Sequence, residues 1–407
     1  MTAAGNLRAL RATLAEPIYG RYVAGNSISL VGNWIQRTAT AWIAWDLSQS
    51  AALLGLVAFC ELFPALIVGP VGGVLADRHD RRKLIMRFQV AMFGVALALW
   101  LAEASGHLDT GWLLALVLLQ GTLVGLNQPA RLSIIPALVT HAHLGPAIAI
   151  NSMVFNAARF VGPAVAGFLI ASFGTAWTFL VNALTFLPFL WALSTLVPTE
   201  RQQPLARGRF LTQIVDGLRY VLDAPALRVL FLLVIAGALL VRPLGELLPA
   251  LADGVFGRGA SGLAMLSASL GLGAIVGGLI VASRDGGPSV MALAWWLAAG
   301  AVSVLAVASA PSFAVTMVLV GLTGICLVGS GVMAQTMMQM QVASELRGRV
   351  MSLFGLTMRA APALGALALG SIADGLGIRM TLILANITFL AMLALAGIRW
   401  WRSRIGR

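Results

Sequence analysis

Apolar runs of about twenty residues follow one another along this chain with only short polar breaks, and that pattern fixes the solvent before it fixes the fold. Stretches such as "LLALVLLQGTLVGL" (113–126) and "FLLVIAGALLV" (231–241) carry no charge. Backbone N–H and C=O groups cannot stay unpaired in lipid, so a spanning segment is a helix or part of a closed barrel. Barrel strands alternate apolar and polar residues over about ten positions, and these runs do not alternate. Only 10% of the 407 residues are charged, against about 25% in soluble domains. The reading is an all-α polytopic membrane protein.

Spans of about twenty residues or more are expected near 20–46, 51–76, 84–104, 110–139, 145–173, 175–197, 226–252, 261–283, 288–309, 312–340, 350–373 and 377–399. The formal charge of +12 is divided among short loops, which points to topology rather than to nucleic acid. Of the 27 bases, only Arg258 and Arg379 fall in the loops opposite the N-terminus, and Arg37, Arg159, Arg242 and Arg359 lie within spans. The rest mark the cytoplasmic side, which places both termini there and gives an even span count. Trp42, Trp45, Trp100, Trp112, Trp177, Trp400 and Trp401 lie near span ends, where indole favours the membrane interface. The first twenty residues are too polar for a signal-peptide core, so no separate signal peptide is expected and the first span can direct insertion itself.

Residues 198–225 form the longest cytoplasmic break. It opens as a polar linker. Then Phe210, Ile214, Leu218, Val221 and Leu222 recur at helical spacing, as in an amphipathic surface helix. It divides the chain into an N-terminal six-helix bundle (1–197) and a C-terminal one (226–407). The halves look duplicated: Arg159, Pro163, Gly174 and Asn182 have counterparts in Arg359, Pro362, Gly377 and Asn386. Such six-plus-six repeats are a transporter architecture.

Between spans 2 and 3 stands "GGVLADRHDRRK" (72–83). Twelve helices, a central linker, the repeat and this loop together resemble the major facilitator superfamily. The family's loop pattern, G-x-x-x-D-R-x-G-R-R, is met by Gly73, Asp77, Arg78, Arg81 and Arg82, with Asp80 replacing the second glycine. Gly73 is expected where helices approach closely. The resemblance implies a conformational latch of Gly73, Asp77, Arg78, Arg81 and Arg131, in which Asp77 meets Arg131 and the start of span 11. Arg81, Arg82 and Lys83 also suit a topology anchor. "ARFVGPAVAG" resembles the family's antiporter signature through Gly162, Pro163 and Gly167, with alanines at 158 and 166. Span 8, with Gly271, Gly273, Gly277 and Gly278, offers it a small-residue face. "GNWIQRTATAWIAWDLSQSAALLGLVAF", "NQPARLSIIPALV" and "SELRGRVMSL" resemble the drug and siderophore exporter branch.

Ionisable groups at membrane depth are functional candidates. Arg37 and Glu61 lie symmetrically about the first outer loop. They form either a structural or gating pair, or a site in which Glu61 carries the proton. Arg242 and Glu246 are four residues apart on span 7, one helical face, as an outer gate or a binding pair. Arg159 calls for a partner or an anionic ligand. Asn33, Gln36, Asn127, Asn151, Asn156, Gln335 and Gln339 lie on spans that line the central cavity in the resembled fold. Interhelical glue worth about 0.6 kcal/mol each is the alternative.

No HExxH, GxSxG or nucleotide-binding loop occurs, so neither an enzyme nor an ATP-driven pump is expected. The expectation is a monomeric, cofactor-free, metal-free antiporter of the plasma (inner) membrane. It meets protons, membrane lipids and an amphiphilic drug-like or siderophore-like substrate, and no nucleic acid. The alternative is a lipid or lysolipid transporter or flippase.

Overall fold

The computed structural model describes residues 3–196, 210–283, 289–342 and 344–405. The described residues form helices and no strands: α1 (Ala3–Ala15), α2 (Pro17–Ser48), α3 (Ala51–Leu62), α4 (Pro64–Arg78), α5 (Arg81–Ala104), α6 (Thr110–Ile134), α7 (Leu144–Phe173) and α8 (Ala176–Ser194) in the first half. The second half holds α9 (Phe210–Asp223), α10 (Pro225–Leu240), α11 (Gly259–Ala282), α12 (Val290–Ala308), α13 (Phe313–Gln341), α14 (Ser344–Leu376) and α15 (Ile378–Ile405). Among the described residues, eleven helical segments are long and apolar enough to cross a membrane. The 32-residue α2 has the length of a twelfth, its hydropathy diluted by Asn26, Asn33, Gln36 and Arg37.

Two expected spans are not single α-helices. Span 2 breaks between α3 and α4 at Phe63, where Pro64 brings no N–H to continue the ladder. Span 7 leaves the α form after Leu240: a 3₁₀ turn covers Arg242–Gly245 and a π-turn Ala250–Val255, with Pro243 and Pro249 removing donors. The amphipathic helix is α9, with Val221 buried at 2% exposure. Its Asp216 accepts a 2.8 Å bond from Arg349 of α14, and Gly217 lies against the Arg349 backbone. The preceding linker, 197–209, lies outside the described residues.

Packing and chain order divide the molecule differently. One compact unit holds 1–43 and 64–207, and the other holds 44–63 and 208–407. In the second unit Trp45, expected at a membrane interface, is instead buried, and its indole donates to Asp253 at 2.9 Å.

The repeat is visible inside each unit. Gly174 and Gly377, which end α7 and α14, share a left-handed backbone (φ 88° and 79°) that favours glycine. Asn182 and Asn386 are both fully buried. Bare helix faces let backbones meet, as van der Waals packing in lipid requires. In the first unit a Cβ on Gly125 would stand 2.7 Å from the Ala65 Cα. In the second, a Cβ on Gly277 would stand 2.9 Å from the Ile325 Cα.

Candidate functional site

The charged loop is built by capping. Asp80 accepts from the Lys83 N–H at 2.8 Å and so caps the N-terminus of α5, a role the family's glycine lacks. Its φ is −59°, so no left-handed turn is needed there. Arg81 donates to the Ser133 carbonyl at 3.1 Å, and Arg82 donates to the Leu196 carbonyl. Both arginines therefore tie down helix ends as well as supplying charge. The close approach expected at Gly73 is made by its neighbour. A Cβ on Gly73 would meet open space, whereas one on Gly72 would stand 2.9 Å from the Leu126 Cα. The α4 face toward α6 passes through residue 72.

Asp77 and Arg78 are exposed at the end of α4. Asp77 makes no hydrogen bond or ion pair among the described residues. Arg131 points elsewhere: it donates to the side-chain oxygen of Asn26 and lies 5.5 Å over the Phe189 ring. Phe189 in turn packs edge-on against Tyr22 at 5.6 Å. Asn26 and Tyr22, each 2% exposed, form a polar node that sequence reading missed. Nothing in local spacing sets residues 22, 26, 131 and 189 side by side.

Gly162 packs on Trp34 of α2, with its Cβ position 3.1 Å from the Trp34 carbonyl carbon. Pro163 and Gly167 are buried beside it in α7. Span 8 uses its bare face within its own unit, Gly273 and Gly277 lying against Gly321 and Ile325 of α13.

Trp34 is the centre of a cationic aromatic cluster. Arg37 lies 5.2 Å and Arg159 5.7 Å from its ring centre, each contact worth about 0.5–2 kcal/mol. Phe155 meets the same indole edge-on at 5.9 Å and is 46% exposed. Asn156, the next residue, donates to the Ser152 carbonyl and is only partly covered. These groups come from the middles of α2 and α7.

The polar set divides. Gln36 is 6% exposed and accepts from Asn182 at 2.6 Å, and Asn127 is 2% exposed. Gln36 is thereby engaged within its own unit. Asn33 (donating to the Ser29 carbonyl) and Asn151 are partly exposed, and Gln335 and Gln339 are exposed.

A cavity in the second unit is lined by Val241, Arg242, Trp296, Cys326, Ser330 and Met358, among others. Arg242 donates to the Leu327 carbonyl at 3.2 Å. A Cβ on Gly331 would stand 2.9 Å from the guanidinium, so glycine there admits the arginine. The Trp296 indole nitrogen is buried with no hydrogen-bond partner among the described residues. Arg242 sits in the 3₁₀ turn that Pro243 imposes, so it and Glu246 do not share an α-helical face as their spacing suggested. Arg37 lies in the first unit and Glu61 in the second.

The chain is 30% identical to the enterobactin exporter EntS of Escherichia coli O139:H28 over 379 residues, covering 89% of this chain and 84% of the exporter. The Escherichia fergusonii exporter matches to the same extent. Among solved structures, an inward-facing, unoccupied bacterial homologue of the human lysosomal transporter Spinster superposes with TM-score 0.74 at 17% identity, covering 94% of this chain and 97% of that one. The nucleoside transporter NupG superposes with TM-score 0.69 at 14% identity, covering 94% and 99%. The transmembrane secretion effector family matches residues 10–402. The chain therefore belongs to the transmembrane secretion effectors, a transporter family of the major facilitator superfamily, and is not an enzyme.

Proposed function

We propose that this protein exports an amphiphilic small molecule, drug-like or siderophore-like, in exchange for protons. Two six-helix bundles, 1–197 and 226–407, alternate access to a site near mid-membrane. Its termini lie in the cytoplasm, on the side the basic loops select, and it works as a monomer in the plasma (inner) membrane. The observation that carries this reading is the Trp34 cluster, with two guanidinium groups over one indole and Phe155 beside it. Such a surface takes a flat apolar body and an acceptor-rich or anionic head. Arg242 and the Trp296 N–H, which has no partner among the described residues, add donors of the same kind in the second unit. The enterobactin exporter relatives support the siderophore-like class and the outward direction.

Purified protein in proteoliposomes tests this. With an imposed pH gradient, a catecholate siderophore or an anionic aromatic dye should move against its own gradient. Glu61→Gln or Glu246→Gln should cut gradient-driven flux about tenfold or more while leaving exchange at equal pH. Flux that ignores the gradient for every compound removes proton exchange, and flux confined to lysolipid makes the protein a lipid transporter. Gly331→Val should displace Arg242 from the Leu327 carbonyl and lower flux about tenfold, the equivalent of one charge-assisted hydrogen bond. Unchanged flux would take Arg242 out of the site.

A further inference from the structure

Spans 2 and 11 end in the same pattern. Gly73-Val74-Leu75-Ala76-Asp77 closes α4, and Gly370-Ser371-Ile372-Ala373-Asp374 lies at the end of α14. Both read Gly-x-(Leu/Ile)-Ala-Asp. With the basic loops inside, the first copy faces the cytoplasm and the second faces out.

The second copy is engaged. One carboxylate oxygen of Asp374 accepts the Ser50 hydroxyl at 2.6 Å, and the other accepts the Ala51 N–H at 2.6 Å and the Ala52 N–H at 3.3 Å. Ser50 also caps α3 by accepting from the Leu53 N–H at 3.2 Å. First-turn N–H groups have no partner within their own helix, and the positive helix end favours a carboxylate. The helices meet backbone to backbone to allow it. A Cβ on Gly370 would stand 3.0 Å from the Ala51 carbonyl carbon, and one on Gly55 would stand 2.8 Å from the Leu367 Cα. A second acid fastens the same segment. Asp253 accepts from the Trp45 indole at 2.9 Å and from the Gly259 N–H at 3.1 Å, and Gly254 leaves room for the Trp45 ring. The first copy's acid, Asp77, makes no such bond among the described residues.

We propose that Asp374, seconded by Asp253, is an outer latch. It holds residues 44–63 to the second half of the chain in one state and lets them go in the other. The family resemblance already gives Asp77 the matching role at the cytoplasmic face; the outer latch at Asp374 is the addition. The break at Phe63–Pro64 is the joint. α3 belongs to the unit that contains α14, and α4 belongs to the other unit. This assignment rests on the alternating-access reading.

The test uses full-length protein in nanodiscs, with Cys60 and Cys326 replaced by alanine and spin labels at Ser105→Cys and Ser309→Cys on the outer loops. Electron–electron distance distributions need neither substrate nor gradient. Asp374→Ala should raise the ratio of long to short outer distances about tenfold, the effect of losing one charge-assisted bond. Asp374→Glu should restore the ratio in some measure, and Asp77→Asn should move it the other way. If Asp374→Ala does not yield folded protein, Asp253→Asn is read instead and should shift the ratio in the same direction. An unchanged ratio in the acid variants, with Asp77→Asn still shifting it, overturns the latch alone. A single distance in every variant overturns the latch together with alternating access.

Discussion

Gly273→Val is expected to abolish folded protein. A Cβ at Gly273 would stand 2.9 Å from the Gly321 carbonyl carbon and nearer still to its oxygen. The obstacle is backbone, so no side chain can turn aside. Gly277 and Gly324 make the same kind of approach between α11 and α13, with Cβ positions 2.9 Å from the Ile325 Cα and 3.1 Å from the Ala274 nitrogen. The variant must therefore push α11 and α13 apart along their length. In lipid no hydrophobic force pulls them back, because helix association rests on close packing. The cost should reach or exceed about 3 kcal/mol, the upper end for overpacked interiors. Fluorescence-detected size-exclusion chromatography should show loss of the folded peak. Gly278→Ala is the control: its Cβ would find only Val328 at 3.9 Å and should fold normally. A normal Gly273→Val peak would contradict the α11–α13 packing.

Arg131→Ala should produce the next largest loss. The arginine satisfies the Asn26 side-chain oxygen and lies over Phe189. Asn26 is 2% exposed and Phe189 fully buried, so neither can recover its contact from water. An orphaned buried acceptor costs about 1–3 kcal/mol, and the lost cation–π contact adds about 0.5–2 kcal/mol. The melting temperature in detergent should fall clearly in Arg131→Ala. Arg131→Lys should fall between, keeping the charge but not the planar fork. Asp77→Ala should leave the melting temperature unchanged, since exposed Asp77 makes no bond among the described residues. A fall in Asp77→Ala equal to that in Arg131→Ala would instead make the two a structural pair.

The two glycines at the head of the charged loop show where legibility stopped. The motif was plain in sequence, but the pattern named Gly73 while the contact falls on Gly72. A pattern records the residue types of a turn, not which of two adjacent positions faces the neighbouring helix. Gln36 lies on a span that lines the central cavity in the resembled fold, with interhelical bonding as the alternative reading. Its partner is Asn182, 146 residues away. In sequence Asp374 is an acid at a span end, like ordinary loop chemistry; only the fold sets the start of α3 against it.

The sequence by itself determined the solvent, the helical class, the internal repeat, the linker helix and the transporter family. Each follows from local quantities: run length, charge placement, helical period, and Gly and Pro positions repeated in two halves. The tertiary structure alone decided that Asn26 satisfies Arg131, that Trp34 receives Arg37 and Arg159, and that Asp374 caps α3. Those contacts depend on which helix faces which, and in lipid that choice is set by backbone fit at bare glycine faces rather than by the apolar pattern, which is the same on every side.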